Sequence, residues 1–117
     1  MSGDPVIRNK LAQVRIEFEV GRLLIYRVAL VMEEGQAPNW ESAMSKAYCT
    51  EFEKHLACVA MDILGPYGQL KLGSKFVPVR GMAQHSYLGS KGYSLQAGTT
   101  EILKNILALR RLGLPSS

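Results

Sequence analysis

Apolar residues recur along the first third of the chain at Ile7, Leu11, Val14, Phe18, Ile25, Val28 and Met32, with Gly21 in the vacant slot. Steps that alternate between four and three residues mark a helix-packing seam. They predict one helix from about Pro5 to Glu34. Pro5 suits an early helical position, where its missing N–H costs nothing. Gly21 costs about 1 kcal/mol relative to alanine inside a helix, and close approach by another helix would explain it. From Val20 to Met32 nearly every side of the helix is apolar, so more than one partner surface is expected to cover this half.

Glu33, Glu34 and Gly35 close that helix, and Gln36 to Asn39 form a short connection containing Pro38. Asn39 is a good N-cap for the next helix. That helix runs to about Leu64, with Met44, Tyr48, Phe52, Leu56, Val59 and Ile63 on one stripe. Gly65 followed by Pro66 is a strong stop, because glycine accepts the left-handed cap and proline cannot continue. Two long helices joined by a short loop form an antiparallel hairpin, a piece of a bundle. Residues Gly65 to Pro78 read as irregular. A third, weaker helix is expected from about Val79 to Gly89, and a loop from Gly92 to Ala97. The last helix starts around Gly98 to Thr100 and ends near Leu112, closed by Gly113 and then Pro115. Only Lys75–Val79 alternates like a strand. The fold class is therefore all-α: an up-down helical bundle, two long helices followed by shorter ones.

Composition narrows the function classes. The 117 residues are 47% hydrophobic and 21% charged, which fits one ordered domain. A chain of this size buries roughly two-thirds of its unfolded surface, which is enough for a core without disulfides. Cys49 and Cys58 stand nine apart with no CxxC, which argues for packed thiols, no metal site and a reducing, cytoplasmic setting. The N-terminus has no apolar h-region. The most apolar stretch, Leu23 to Met32, is half the length of about 20 residues that a bilayer requires, and Arg27 interrupts it, so no membrane partner is expected. The formal charge of +4 is small, and basic residues are not interleaved with aromatics, which argues against nucleic acid.

The informative loop is Ala97-Gly98-Thr99-Thr100-Glu101. Gly98 lets the backbone approach a ligand, and the first N–H groups of the following helix lack intrahelical acceptors at the positive end of the dipole. Thr99 and Thr100 add hydroxyls, so the turn could seat a phosphate or another anion. It is equally an ordinary cap, with Glu101 reaching back to a free N–H. Other candidates are poorer. His55 beside Lys54 reads as a surface or partly packed residue, and the adjacent His85 and Ser86 do not make a nucleophile–base pair. No HExxH, GxSxG or Walker pattern occurs. Lys71, Lys75, Arg80 and Lys91 read as a solvated face, and Trp40 reads as a packing anchor.

The order of these pieces resembles the C-terminal α-helical domain of acyl-CoA dehydrogenases. The resemblance is carried by RNKLAQVRIEFEVGRLLIYR, AMDILGPYG and AGTTEILKNILALRRLGLP, and it spans nearly all of the chain. It implies a fragment of a longer flavoprotein that also has an N-terminal helical domain and a middle β-domain. FAD and the acyl-CoA substrate would lie between the middle domain and this bundle, in a homo- or hetero-oligomer. It implies that Gly98, Thr99 and Glu101 lie near the FAD, close to its phosphates, and that the segment with Asp62 and Gly65 meets the FAD of a neighbouring subunit. There the family often shows Gln-x-x-Gly-Gly, and Asp62 and Pro66 depart from it.

Ala97 stands where many members carry the glutamate that removes the α-proton while the β-hydrogen passes to flavin as hydride. No catalytic residue is then expected in this chain, although the Ala97 backbone N–H could bind the thioester carbonyl. Alanine fits the isovaleryl- and long-chain-type members, whose base lies on an earlier helix. It also fits a non-catalytic subunit of a mixed oligomer. A helical interaction module without flavin is a third reading. The residues from Leu70 to Gln96 look longer than in typical members and receive no role. In each flavoprotein reading, the all-round apolar stretch is an exposed patch that drives association.

Overall fold

A computed structural model describes residues 3–93 and 99–115 of the chain. Helix α1 spans Pro5–Glu33. Asp4 caps it, its carboxylate accepting from the Val6 N–H at 2.8 Å, with proline in the first turn. Helix α2 spans Asn39–Leu64 and returns antiparallel to α1. Asn39 is not its cap. Pro38 holds that position without a side-chain hydrogen bond, and Asn39 is already the first helical residue. Gly65, at φ 55°, closes α2 as the sequence predicts, its N–H donating to the Met61 carbonyl.

The segment read as irregular holds two turns of 3-10 helix, Gly65–Gln69 and Pro78–Gly81. Helix α3 starts later than the sequence suggests, spanning Met82–Tyr93. The reason is local: Val79 and Arg80 take left-handed φ values of 48° and 53°, which an α-helix cannot contain. The alternating run Lys75–Val79 is turn, and no strand occurs among the described residues. Helix α4 spans Thr100–Arg110, two residues shorter than expected. The all-α bundle is thus confirmed.

Helix α2 is the centre of the molecule, with α1, α3 and α4 all packed on it. Its buried residues are small or polar: Ala43, Ser45, Thr50, Ala57 and Val59, together with Glu41. The expected stripe of large residues is only partly covered, and Leu56 is exposed. Three helices converge on α2, so its shielded positions are those where short side chains let backbones come close.

On α1 the seam is rotated from the one the apolar pattern suggests. The covered positions facing α2 include Ile7, Lys10, Val14, Glu17, Gly21, Leu24, Val28 and Val31, whereas Leu11, Phe18, Ile25 and Met32 are exposed. Two polar residues hold seam positions because they bond across to α2. Gly21, the only buried residue of α1, faces Tyr48 and Cys49, and a Cβ there would sit 3.6 Å from each. The Tyr48 hydroxyl donates to the Glu17 carbonyl at 3.1 Å.

The apolar core of the chain is small. Buried apolar side chains among the described residues are Ala43, Ala57, Val59, Ala83 and Leu103. The radius of gyration is 17.5 Å, against about 13 Å for a compact domain of this length. The accessible surface is 8377 Å², against about 6300 Å² for a compact monomer of this mass. Large apolar side chains contribute to this open surface: Leu23, Ile25, Tyr26, Leu30 and Met32 all lie open on the half of α1 predicted to need several partners.

Candidate functional site

The candidate anion seat falls on the first turn of α4. Ala97 and Gly98 lie outside the described residues, so its described part is Thr99, Thr100 and Glu101. Thr99 is the N-cap, its hydroxyl oxygen accepting from the Ile102 N–H at 3.4 Å. The Thr100 hydroxyl donates across to Glu51 on α2 at 3.2 Å, and Lys54 binds the same carboxylate oxygen at 2.9 Å. Glu51 is therefore held below the ordinary carboxylate range, by Lys54 first and Thr100 next. Glu101 is held down as well, by its own backbone N–H first and the Thr99 hydroxyl second, with Lys104 and Lys54 adding their fields.

This turn is a cap whose amide end already faces an ionised carboxylate. Its first N–H groups are shared with Glu101 and Thr99, so a phosphate placed there would meet like charge. Tested against a dinucleotide such as FAD, the turn fits sugar hydroxyls, which can donate to Glu101, better than phosphates. Of the two readings left open by the sequence, the described residues favour the cap.

The second group lies at the other end of α2. Asp62 and Gly65 are exposed and half-buried respectively, and Pro66 opens the following 3-10 turn. The charge of Asp62 does not stand alone, because Lys10 of α1 binds it at 2.9 Å. Glu51 marks where α4 docks, and Asp62 lies eleven residues further along the same helix, which is about 16 Å of axis. One copy of the chain therefore does not bring the two groups together.

Two constellations have no signal in the sequence because their members are far apart along it. Glu17 and His55 join α1 to α2, with Nδ1 and Oε2 2.7 Å apart. Glu17 is held below the ordinary carboxylate range, by the Gln13 amide first and by His55 second. Trp40 is the predicted packing anchor, but its partners are cations. Arg27 of α1 lies 5.4 Å from its ring centre, and Arg111, just beyond α4, lies 4.7 Å from it. Arg27 also approaches the buried Glu41 at 3.8 Å. The basic cluster read as one solvated face is divided. Lys75 stacks on Phe76 and Lys91 on Tyr87, while Lys71 and Arg80 line a cavity beside α3.

Comparison with known proteins places this geometry. The family model described as acyl-CoA dehydrogenase, C-terminal domain, matches residues 1–112. A glutaryl-CoA dehydrogenase of Desulfococcus multivorans is 34% identical over 108 residues, which is 92% of this chain and 26% of that protein. Acyl-CoA dehydrogenase IpdE1 of Mycobacterium tuberculosis is 30% identical over 114 residues, 96% of this chain and 28% of the relative. The fold matches a solved structure described as Tcur3481-Tcur3483 steroid ACAD with a TM-score of 0.93 at 24% identity, covering 98% of this chain and 30% of the other. It also matches the ChsE4-ChsE5 complex from Mycobacterium tuberculosis with a TM-score of 0.89 at 23% identity, again covering 98% and 30%. The chain thus spans between a quarter and a third of the length of each of these relatives.

Proposed function

The chain belongs to the acyl-CoA dehydrogenase family, as its C-terminal helical domain, and on that premise we propose that it is the helical part of an FAD-dependent enzyme. That enzyme oxidises acyl-CoA thioesters to 2,3-enoyl-CoA in a reducing, cytoplasmic setting. The observation that carries the reading is the family match over residues 1–112 together with the coverage of only about a quarter of each curated relative. The open apolar faces of α1 support it, since they suit the remaining domains and further subunits of such a protein. The free thiols of Cys49 and Cys58 accord with the reducing setting.

Thr99 and Glu101, with Asp62 and Gly65 of a neighbouring copy, would hold FAD, which would supply the acceptor for the β-hydrogen as hydride. This chain supplies no proton acceptor for the α-carbon, because Ala97 has no ionisable group; the base belongs to another part of the enzyme. Thr99 fixes the start of α4, and Glu101 stays ionised to accept from hydroxyl donors. The Thr100–Glu51–Lys54 contact holds that turn on α2. Asp62 and Gly65, about three turns away along α2, suit the flavin of a neighbouring subunit better than the one near α4. The flavin site is then assembled between copies.

A second reading is a non-catalytic subunit of a mixed oligomer. It is favoured by Ala97 and by the structural neighbours, Tcur3481-Tcur3483 and ChsE4-ChsE5, each named as a pair of components. Purification of the native protein, with assay of its flavin and of bleaching by acyl-CoA thioesters of varied bulk, separates the readings. Flavin that bleaches unaided supports the enzyme. Bound flavin that never bleaches overturns the enzyme and leaves the subunit.

A further inference from the structure

Two cavities flank α3, one against the Lys71–Leu72 turn and the other against α2, with Met82 and Ser86 between them. One, of about 440 Å³, is lined by Lys71, Arg80 and His85, with no carboxylate in its wall. The other, of about 290 Å³, is walled by Leu56, Leu64 and Ala83, and its one charged residue is Glu53. Met82 and Ser86 belong to both. Elsewhere in the molecule Lys10, Arg22, Arg27 and Lys54 each face a carboxylate. Lys71 and Arg80 form no ion pair among the described residues.

The backbone at this junction is strained in a specific way. Val79, Arg80 and Gly81 take successive φ values of 48°, 53° and 74°. Glycine accepts this region readily; a β-branched valine and an arginine adopt it only against a steric cost. At Gly81 a Cβ would lie 2.7 Å from the Leu72 N, so the Lys71–Leu72 backbone is pressed against the turn. The consequence is a division of neighbours: Val79 joins the wall of the apolar cavity and Arg80 that of the cationic one. Strain that places adjacent side chains in two chemically opposite cavities is characteristic of ligand sites.

We propose that these two neighbouring cavities together bind an anionic amphiphile that lies across Met82 and Ser86, its charged head against Lys71 and Arg80 and a short alkyl chain against Leu56 and Leu64. The cationic cavity supplies charge-assisted donors, and no carboxylate lines it to neutralise them. Glu53 opposes a second negative charge at the apolar end and so fixes the orientation. The assignment rests on this chain's own walls and does not depend on flavin chemistry.

Calorimetric titration of the chain with octyl phosphate, inorganic phosphate and octyl glucoside, all below micelle-forming concentration, tests it. Octyl phosphate is expected to bind roughly tenfold or more tightly than either control, since burial of only two methylenes gives that factor. Arg80→Gln should weaken it roughly fivefold. Arg80→Gly should weaken it equally while raising the thermal midpoint, because glycine relieves the backbone. Phosphate binding as tightly as octyl phosphate would show an anion seat alone, and octyl glucoside doing so would show an indiscriminate apolar surface. Affinity unchanged by Arg80→Gln would place the ligand elsewhere, for example on α1. Each of these three outcomes overturns the proposal.

Discussion

Helices α1 and α2 are similar in length and lie side by side, yet they are built on opposite principles. α1 carries ten of the 21 large apolar side chains left open to solvent among the described residues, including Ile16, Leu23, Ile25 and Leu30, and buries only Gly21. α2 buries alanine, serine, threonine and a glutamate, and leaves Leu56 in the open. Hydrophobicity along the chain therefore measures what a helix could bury, and burial measures how many neighbours it has. α2 has three helical neighbours in this chain. The open leucines and isoleucines of α1 await surfaces that the chain does not supply.

The same substitution on the two sides of this contrast gives the largest expected difference. Leu103, the buried residue of α4, should cost about 3 kcal/mol when cut to alanine, the usual range for a buried leucine. Leu23→Ala on the open face of α1 should change stability by less than about 0.5 kcal/mol. Urea denaturation of both variants decides; equal losses would mean that α1 is covered in solution and that the contrast is false.

Association is the next test. The chain alone is expected to form dimers or larger species through α1, and Leu23→Glu with Leu30→Glu should weaken that by roughly a hundredfold, from the apolar area each leucine would otherwise bury. Sedimentation velocity of the unaltered chain as a strict monomer at high concentration would break this prediction outright.

A smaller effect sharpens the contact between the two helices. Gly21→Ala should stabilise the chain by about 1 kcal/mol, because the added methyl meets Tyr48 and Cys49 at ordinary contact distance, 3.6 Å, and removes the helix cost of glycine. A fall in the thermal midpoint would show that the helices sit closer than this.

The smallest concerns pH. Glu17 has a folded pKa below its unfolded value, so its contribution is fully present above the unfolded value of about 4.3 and is lost as pH falls through the folded one. Glu17→Gln should flatten the acid limb of the stability profile and leave the region above pH 6 or so little changed. An unaltered acid limb would remove the Glu17 contacts, to Gln13 first and to His55 second, from the account of how α1 is held.

How much of this was legible in the sequence follows from the range of each interaction. The two long helices and their glycine stops were readable, because periodicity and capping act within a few residues. Gly65 closes α2 as expected. Asn39 misled because a good capping residue one position too late does not cap when proline occupies the site before it. The rotated seam of α1 was hidden because Lys10 and Glu17 earn covered positions through partners 52 and 38 residues away. The start of α3 was misplaced because nothing in a valine–arginine pair announces a left-handed backbone. At the candidate site, Thr99 and Glu101 were found by motif. That Glu101 and Thr99 occupy the amides of that turn themselves emerged only from the geometry.

Trp40 is the one tryptophan of the chain, and it is gripped between Arg27 and Arg111. Three segments remote in sequence meet at that ring: the latter half of α1, the start of α2 and the residues just past α4. They cannot come apart independently without releasing it. The indole is thus a built-in fluorescent gauge of cooperativity, and a single emission transition coincident with loss of helix would report that the sparsely packed α1 and the chain's distal end melt as one unit.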